Sequence, residues 1–328
     1  MKRFIVIFLS VLTMAGAAEL SDADKRAITE ANKFVQRGND AVNNNSLTRA
    51  RAEYQKALKI FPAHVDALYN LAVVCEKLKQ NDEAIELYNR YLAIRPNDAD
   101  VWTQLGVRYD DADKKADALA AYEKALAIDP KFGRAHNNLG VLLKEQGKLD
   151  DAQKHFETFL QLEEAAGRQN GDAYYSLGSL LLWRGRVKDA KHLLQKALDT
   201  DPSISYYNNA MGDVYLAGGE TEMALAAYKK ALEKDPKYAP AYSGMGDAFR
   251  QAGNIDKAAA AYAKALELGK DYWLVYYKTG LLWEKTQPAE AIKSFEKYLA
   301  SDKTPVFQNE AKAKIEHLKQ AKTNVTTP

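Results

Sequence analysis

The sequence predicts an all-α repeat array, and three observations carry that prediction. Pro62, Pro96 and Pro130 are spaced by 34 residues, each closing an apolar-periodic stretch such as Tyr122-Glu-Lys-Ala125-Leu126. The residue before proline is pushed out of the α region, so these prolines, with Pro202 and Pro236, mark helix ends. In the frame of that period a small residue recurs at Gly38, Ala72, Gly106, Gly140, Gly178, Gly212, Gly246 and Gly280, and another at Ala50, Ala84, Ala118, Ala152, Ala190, Ala224, Ala258 and Ala291. Small residues at fixed positions let two packed helices approach closely. Four residues beyond the second series stand Tyr54, Tyr88, Tyr122, Phe156, Leu194, Tyr228, Tyr262 and Phe295, one helical turn along on the same face. Eight units result, from residue 31 to about 302.

Composition agrees with a folded chain. Of 328 residues 27% are charged and 47% hydrophobic, and there is one cysteine, which excludes both a disordered chain and a disulfide scaffold. A net charge of +2 and scattered glycine and proline give no nucleic-acid surface and no flexible linker.

Taken in order, residues 1–17 read as a signal peptide. Lys2 and Arg3 precede the apolar run Phe4 to Leu12, and Ala15-Gly16-Ala17 supplies a small-residue cleavage pattern. Phe4 to Ala18 is too short to cross a hydrocarbon core of about 30 Å as a helix. The expected mature chain has no stable membrane span and is exported, to a bacterial periplasm first and otherwise secreted. Ser21 and Asp24 make a capping-box-like start for the first helix, and repeats one to four fill 22–166. Four extra residues around Ala165 to Asn170 precede repeats five to eight at 171–302, and the eighth lacks one residue near Gln287-Pro288; both read as loop variation, with a functional hinge as the alternative. A capping helix is expected over 305–321, opened by Thr304-Pro305 and striped by Phe307, Ala311, Ile315 and Leu318, before a disordered tail at 322–328.

Between Trp102 and Pro130 the chain gives Trp102, Leu105, Gly106, Tyr109, Ala118, Tyr122, Ala125 and Pro130. This resembles the tetratricopeptide signature W-x2-L-G-x2-Y, A-x3-F, P. The resemblance implies a right-handed superhelical solenoid of eight helix-turn-helix repeats with a C-terminal capping helix. It also implies a concave groove lined by the second, fifth, sixth, ninth and twelfth positions of each first helix. The sixth positions of repeats one to four read Gln36, Asn70, Gln104 and Asn138. That row is similar to the asparagine ladder of O-GlcNAc-transferase-type superhelices, which grips an extended peptide backbone. A carboxamide offers a donor and an acceptor, matching a peptide unit without reading its side chain. The plainer reading is that these amides solvate the face or tie adjacent repeats together.

Arg134, Asn137 and Lys144 add a basic, polar spot, Tyr69, Tyr175, Tyr206 and Tyr277 offer rings as anchors, and Asp213 and Asp247 bring acids. The family's chaperone-tail clamp would place Val35, Asn39, Asn70, Asp100 and Gln104 at its positions, where all three cations are missing. No catalytic inventory emerges. His64, His136, His155, His192 and His317 show no metal-binding helical spacing, Cys75 takes a core position, and no phosphate-cradling loop or nucleophile motif occurs. The expectation is a non-enzymatic scaffold or assembly factor of the cell envelope. It would need no cofactor, metal or nucleic acid, would bind protein or peptide partners, and could form a homo-oligomer. Glycan binding through Tyr175, Tyr206, Tyr277 and the carboxamides is the alternative.

Overall fold

A computed structural model describes residues 21–269, 273–301 and 307–325. The proposed signal peptide, residues 1–17, lies outside the described residues. Seventeen α-helices and no strand occur among those described. The chain divides into two compact units, residues 1–162 and 163–328.

In the first unit α1 (Asp22–Asn43) packs on α2 (Leu47–Ile60), α3 (Val65–Lys77) on α4 (Asn81–Ile94), and α5 (Ala99–Asp111) on α6 (Lys115–Ile128). Next come α7 (Gly133–Glu145) and α8 (Leu149–Ala165). In the second unit the pairs are α9 (Gly171–Trp183) with α10 (Val187–Thr200), α11 (Ser205–Ala217) with α12 (Thr221–Lys234), α13 (Ala239–Gln251) with α14 (Ile255–Leu268), and α15 (Leu274–Trp283) with α16 (Pro288–Leu299). Helix α17 (Gln308–Val325) packs on α16.

The glycine series is where the helices of each pair meet. A methyl group built on Gly106 would lie 2.5 Å from Cε1 of Tyr122, and one on Gly140 2.6 Å from Cε1 of Phe156. At Gly178 the facing residue is Leu194, at 2.9 Å. The rings themselves are sealed: Tyr54, Tyr88, Tyr122, Tyr228, Tyr262, Phe156 and Phe295 are at most 1% exposed. The alanine series is fully buried beside them. Each repeat thus holds a bulky side chain pressed on helix backbone, a contact that only a small facing residue permits.

Between the helices of a pair one residue turns left-handed, at Asn45, Lys79 and Asp113 and then at Gly147, Gly185, Gly219 and Gly253. The turn also closes by hydrogen bonds, as where the Gln80 N–H donates to the Cys75 carbonyl at 2.9 Å.

His64 starts α3 in an unusual way for a cap. Its Nδ1 accepts from the Ala67 N–H at 3.3 Å while Nε2 lies 3.0 Å from Oδ1 of Asn32, so the neutral ring with Nε2 protonated satisfies both partners. Burial pushes its pKa down, with Asp66 acting in the opposite sense. A base that titrates lower when folded binds more protons unfolded, so its stabilisation is complete above about pH 6.5 and is lost as pH falls below that value. His155 moves in the same direction, through burial and then the neighbouring His136. Replacing His64→Asn, which retains a capping oxygen, should therefore flatten the fall in melting temperature between about pH 7 and about pH 5, read by circular dichroism. An unchanged slope would show that His64 does not carry it.

The four-residue insertion is built rather than loose, and part of it is helix. Helix α8 has 17 residues where α2, α4, α6 and α10 have 14. Beyond it, Arg168 donates from Nε and Nη2 to the Glu163 carboxylate at 2.9 and 2.6 Å, and Asn170 adds a third bond at 3.0 Å while capping α9. The Arg168 bonds come first among the causes holding the Glu163 carboxyl below its ordinary value.

At the C-terminus the expected start at Thr304-Pro305 lies outside the described residues, and α17 begins at Gln308. It runs to Val325, so the boundary expected at 321 is corrected: no glycine or proline interrupts the chain before Pro328. Ala311, Ile315 and Leu318 are buried and join Phe295 and Tyr298 in one cluster.

Candidate binding surfaces on the first helices

First helices of neighbouring repeats touch one another: α5 meets α7 in the first unit, and α9, α11, α13 and α15 meet in sequence in the second. In each unit, therefore, residues at equivalent positions of successive first helices come to neighbouring places on one face.

In the first unit the carboxamide row divides into two halves. Gln36 donates to Asp40 on its own helix at 3.1 Å. Asn70 donates to Oδ1 of Asn39 across the repeat boundary at 3.2 Å, and the same oxygen accepts from the Tyr54 hydroxyl at 2.7 Å. Asn70 thus ties two repeats together, the plainer of the two expectations. Gln104 and Asn138 are half-buried, and among the described residues their amides have no hydrogen-bond partner. Asn39, which the sequence pattern marked only as a clamp position, is the acceptor that organises the first half.

The expected basic spot is corrected. Arg134 is exposed but pairs with Asp100 one repeat earlier and lies 5.3 Å from the centre of the Phe132 ring, so its charge is already engaged. Asp110 is likewise taken, by Lys115, which also bridges to Glu145. Lys144 is half-buried, and desolvation pushes its pKa down, partly offset by Glu145. Asn137 is half-buried on α7. Tyr69 packs edge-on against Tyr88 at 6.3 Å and on Tyr91 at 5.9 Å.

The second unit carries more chemistry. Tyr175, Tyr206 and Tyr207 form a ring cluster with centroids 4.7 to 5.7 Å apart. Both Tyr206 and Tyr207 donate their hydroxyls to Oδ1 of Asp172, at 2.5 and 2.8 Å. Further along, Asp213 accepts from the Tyr228 hydroxyl at 2.7 Å and from Asn209 at 3.2 Å. Burial pushes its carboxyl up to about 6, against the pull of Tyr228 and Lys278. Asp247 accepts from Tyr262 at 2.6 Å and from Lys278 at 2.5 Å, and Lys278 also reaches Ser243 at 2.9 Å. Tyr207, Asn209 and Ser243 were not singled out from the sequence; Tyr207 lies one place beyond a groove position and reads as core.

Tyr277 is not an anchor. It is 5% exposed, stacked on Phe307 at 4.7 Å and packed on Phe295 and Tyr298. Phe307, just ahead of α17, covers the ring that an internal repeat would leave accessible.

Cys75 is fully buried and its thiol is pushed up to about 12, chiefly by desolvation. Among the described residues no three His, Cys, Asp or Glu side chains are arranged to hold a metal, and no helix is long and apolar enough to cross a membrane. His136 and His155 do meet, Nδ1 to Nδ1 at 2.8 Å, a pairing between two helices that spacing within one helix could not reveal.

Family models described as Tetratricopeptide repeat match residues 35–99, 99–132, 121–154, 143–214 and 239–272, and one described as TPR repeat matches 212–249. The chain belongs to the tetratricopeptide repeat family. Tetratricopeptide repeat proteins in general mediate protein–protein interactions as non-catalytic scaffolds. Among solved structures, a tetratricopeptide repeat protein from Parabacteroides merdae is 18% identical, with a TM-score of 0.65 over 75% of this chain and 96% of that one. The Cut9 and Hcn1 hetero-tetramer of the APC/C is 20% identical with a TM-score of 0.62, over 83% of this chain and 52% of that one. The human IFIT1 dimer with PPP-AAAA is 16% identical with a TM-score of 0.66, over 92% of this chain and 77% of that one. These likenesses show the tetratricopeptide fold alone. No curated protein matches the chain.

Proposed function

We propose that this chain is an exported scaffold or assembly factor of the cell envelope that holds an extended polypeptide against its first helices. The observation that carries the reading is the pair Gln104 and Asn138. Two half-buried carboxamides stand one repeat apart on touching helices, with no partner among the described residues. A half-buried amide without a partner is satisfied when a peptide N–H and C=O arrive together. Gln36 and Asn70 are already engaged, so the contact centres on repeats three and four. Export rests on Lys2, Arg3, the apolar run Phe4 to Leu12 and Ala15-Gly16-Ala17.

The test is capture of partners from an envelope extract by the full chain, with a Gln104→Ala/Asn138→Ala variant and a Gln36→Ala/Asn70→Ala variant alongside. The first variant should lose its partner by roughly tenfold, the value of one to two net hydrogen bonds. The second should retain it if its helix pair still melts normally. Equal retention by all three would sink the reading. N-terminal sequencing of the protein recovered from its native host checks cleavage before Ala18.

A further inference from the structure

The second unit holds two carboxylates that no cation contacts among the described residues. Asp172 meets two phenol hydroxyls, and Asp213 meets one phenol and one amide. The cation whose charge reaches Asp213 is Lys278, yet its ammonium is held by Asp247 and Ser243. Tyr206, Asn209 and Asp213 stand at i, i+3 and i+7 along one face of α11, and Tyr175 packs on Tyr206 at 4.9 Å, which brings both carboxylates to one surface; both raise the Tyr175 phenol after burial, with Ser179 acting in the opposite sense. Beside them, Asn209 spends its amide N–H on Asp213 and is left with a buried Oδ1 that has no partner among the described residues. Sixth positions on these helices are Ser176, Ala210 and Gly244, so no long side chain stands at that position on α9, α11 or α13.

At this place two carboxylates lack a cation among the described residues, and the Asn209 oxygen lacks a donor. We propose that Tyr175, Tyr206, Asp172 and Asp213 form a receptor for one arginine side chain of a polypeptide partner. The guanidinium is planar, and because the Tyr175 and Tyr206 rings stand edge to face at 73° it lies flat on Tyr206 alone, with its N–H fork turned toward the carboxylates. A ligand N–H on Asp213 also releases Asn209 to turn its amide and relieve the orphaned oxygen, a gain of the kind that leaving a buried acceptor unpaired forfeits. A lysine ammonium supplies the charge as a point, without the flat face or the fork. A neutral sugar would stack on the rings but leave both charges unanswered.

The inference rests on the chain binding polypeptide but not on Gln104 and Asn138. Its test is calorimetric titration of the full chain with blocked five-residue alanine peptides carrying arginine, lysine or glutamine at the centre. Arginine should bind at least about tenfold tighter than glutamine and tighter than lysine, and the preference should shrink at high salt. Asp213→Asn and Tyr206→Ala should each weaken the arginine peptide by roughly tenfold while leaving the glutamine peptide unchanged. Should Asp213→Asn melt early, Asp172→Asn asks the same question at an exposed carboxylate. Equal affinity for arginine and glutamine, or for arginine and lysine, overturns the proposal. So does binding of chitobiose that is lost in Tyr206→Ala and kept in Asp213→Asn, which would make the rings a sugar platform. If the arginine peptide fails while Gln104→Ala/Asn138→Ala still loses its partner, this inference falls and the broader reading stands. If arginine is preferred while that double variant keeps its partner, the arginine receptor stands and the carboxamide contact falls.

Discussion

Tyr228→Ala is expected to lower the stability of the second unit by about 3–5 kcal/mol, the range for deleting a buried aromatic ring. The ring is completely buried, and methyl groups built on either Gly212 or Gly244 would lie 2.5 Å from its Cε1. It therefore fills the space between the first helices of two repeats as well as within one. Truncation opens a cavity that neither glycine can fill and takes away the hydroxyl that Asp213 accepts. Tyr228→Phe separates these effects: the ring stays, about 1–3 kcal/mol goes with the bond, and the Asp213 carboxyl, which that bond pulls down, titrates higher. Urea melts followed by circular dichroism measure the first two quantities, and carboxyl chemical shifts against pH the third. A loss below about 1 kcal/mol for the alanine variant would mean that the neighbouring helices close up, contrary to the packing described.

The second large effect is expected from adding volume. Gly106→Val should destabilise the first unit by on the order of 3 kcal/mol, because the branched side chain meets the fully buried Tyr122 ring with nowhere to move it. An internal reference sets the scale. At the same repeat position Ala72 stands against Tyr88, and both are completely buried, so one methyl group is accommodated there by a small local shift. Gly106→Ala should accordingly change stability by less than about 1 kcal/mol, since the better helix propensity of alanine offsets the tighter contact. Thermal melts of the two variants decide this. Equal melting temperatures for alanine and valine would show that the ring is free to move.

The repeat was legible because its signals are steric and recur. A glycine eight places into the unit and a ring sixteen places later are a lock and its key, and the chain states that pair at Gly38 and Tyr54, at Gly106 and Tyr122, and at Gly246 and Tyr262. The carboxamide row was legible as a spacing, but its chemistry was not. Whether Asn70 faces a ligand or Asn39 depends on a distance across a repeat boundary, which no period in the sequence encodes. Arg134 and Asp100 sit 34 residues apart, so the frame did contain their pairing, though it reads equally as two independent groove residues. Tyr277 misled for a different reason. Its position matches Tyr175, and only the segment beyond the last repeat decides that one ring stacks on Phe307 while the other lies among tyrosines.

The tyrosine hydroxyls bear on how such a surface can change its client over time. At repeats one, two, six and seven the core ring reaches through to a polar residue of the first helix, as Tyr54 to Asn39, Tyr88 to Glu76, Tyr228 to Asp213 and Tyr262 to Asp247. There the interior and the proposed binding face share one bond, and a substitution of that polar residue also strands a buried phenol. At repeats four, five and eight the same place holds Phe156, Leu194 and Phe295, which ask nothing of the face above them. On the proposed reading, mutational drift in binding preference is therefore cheap in those three repeats and penalised in the four that carry the bond.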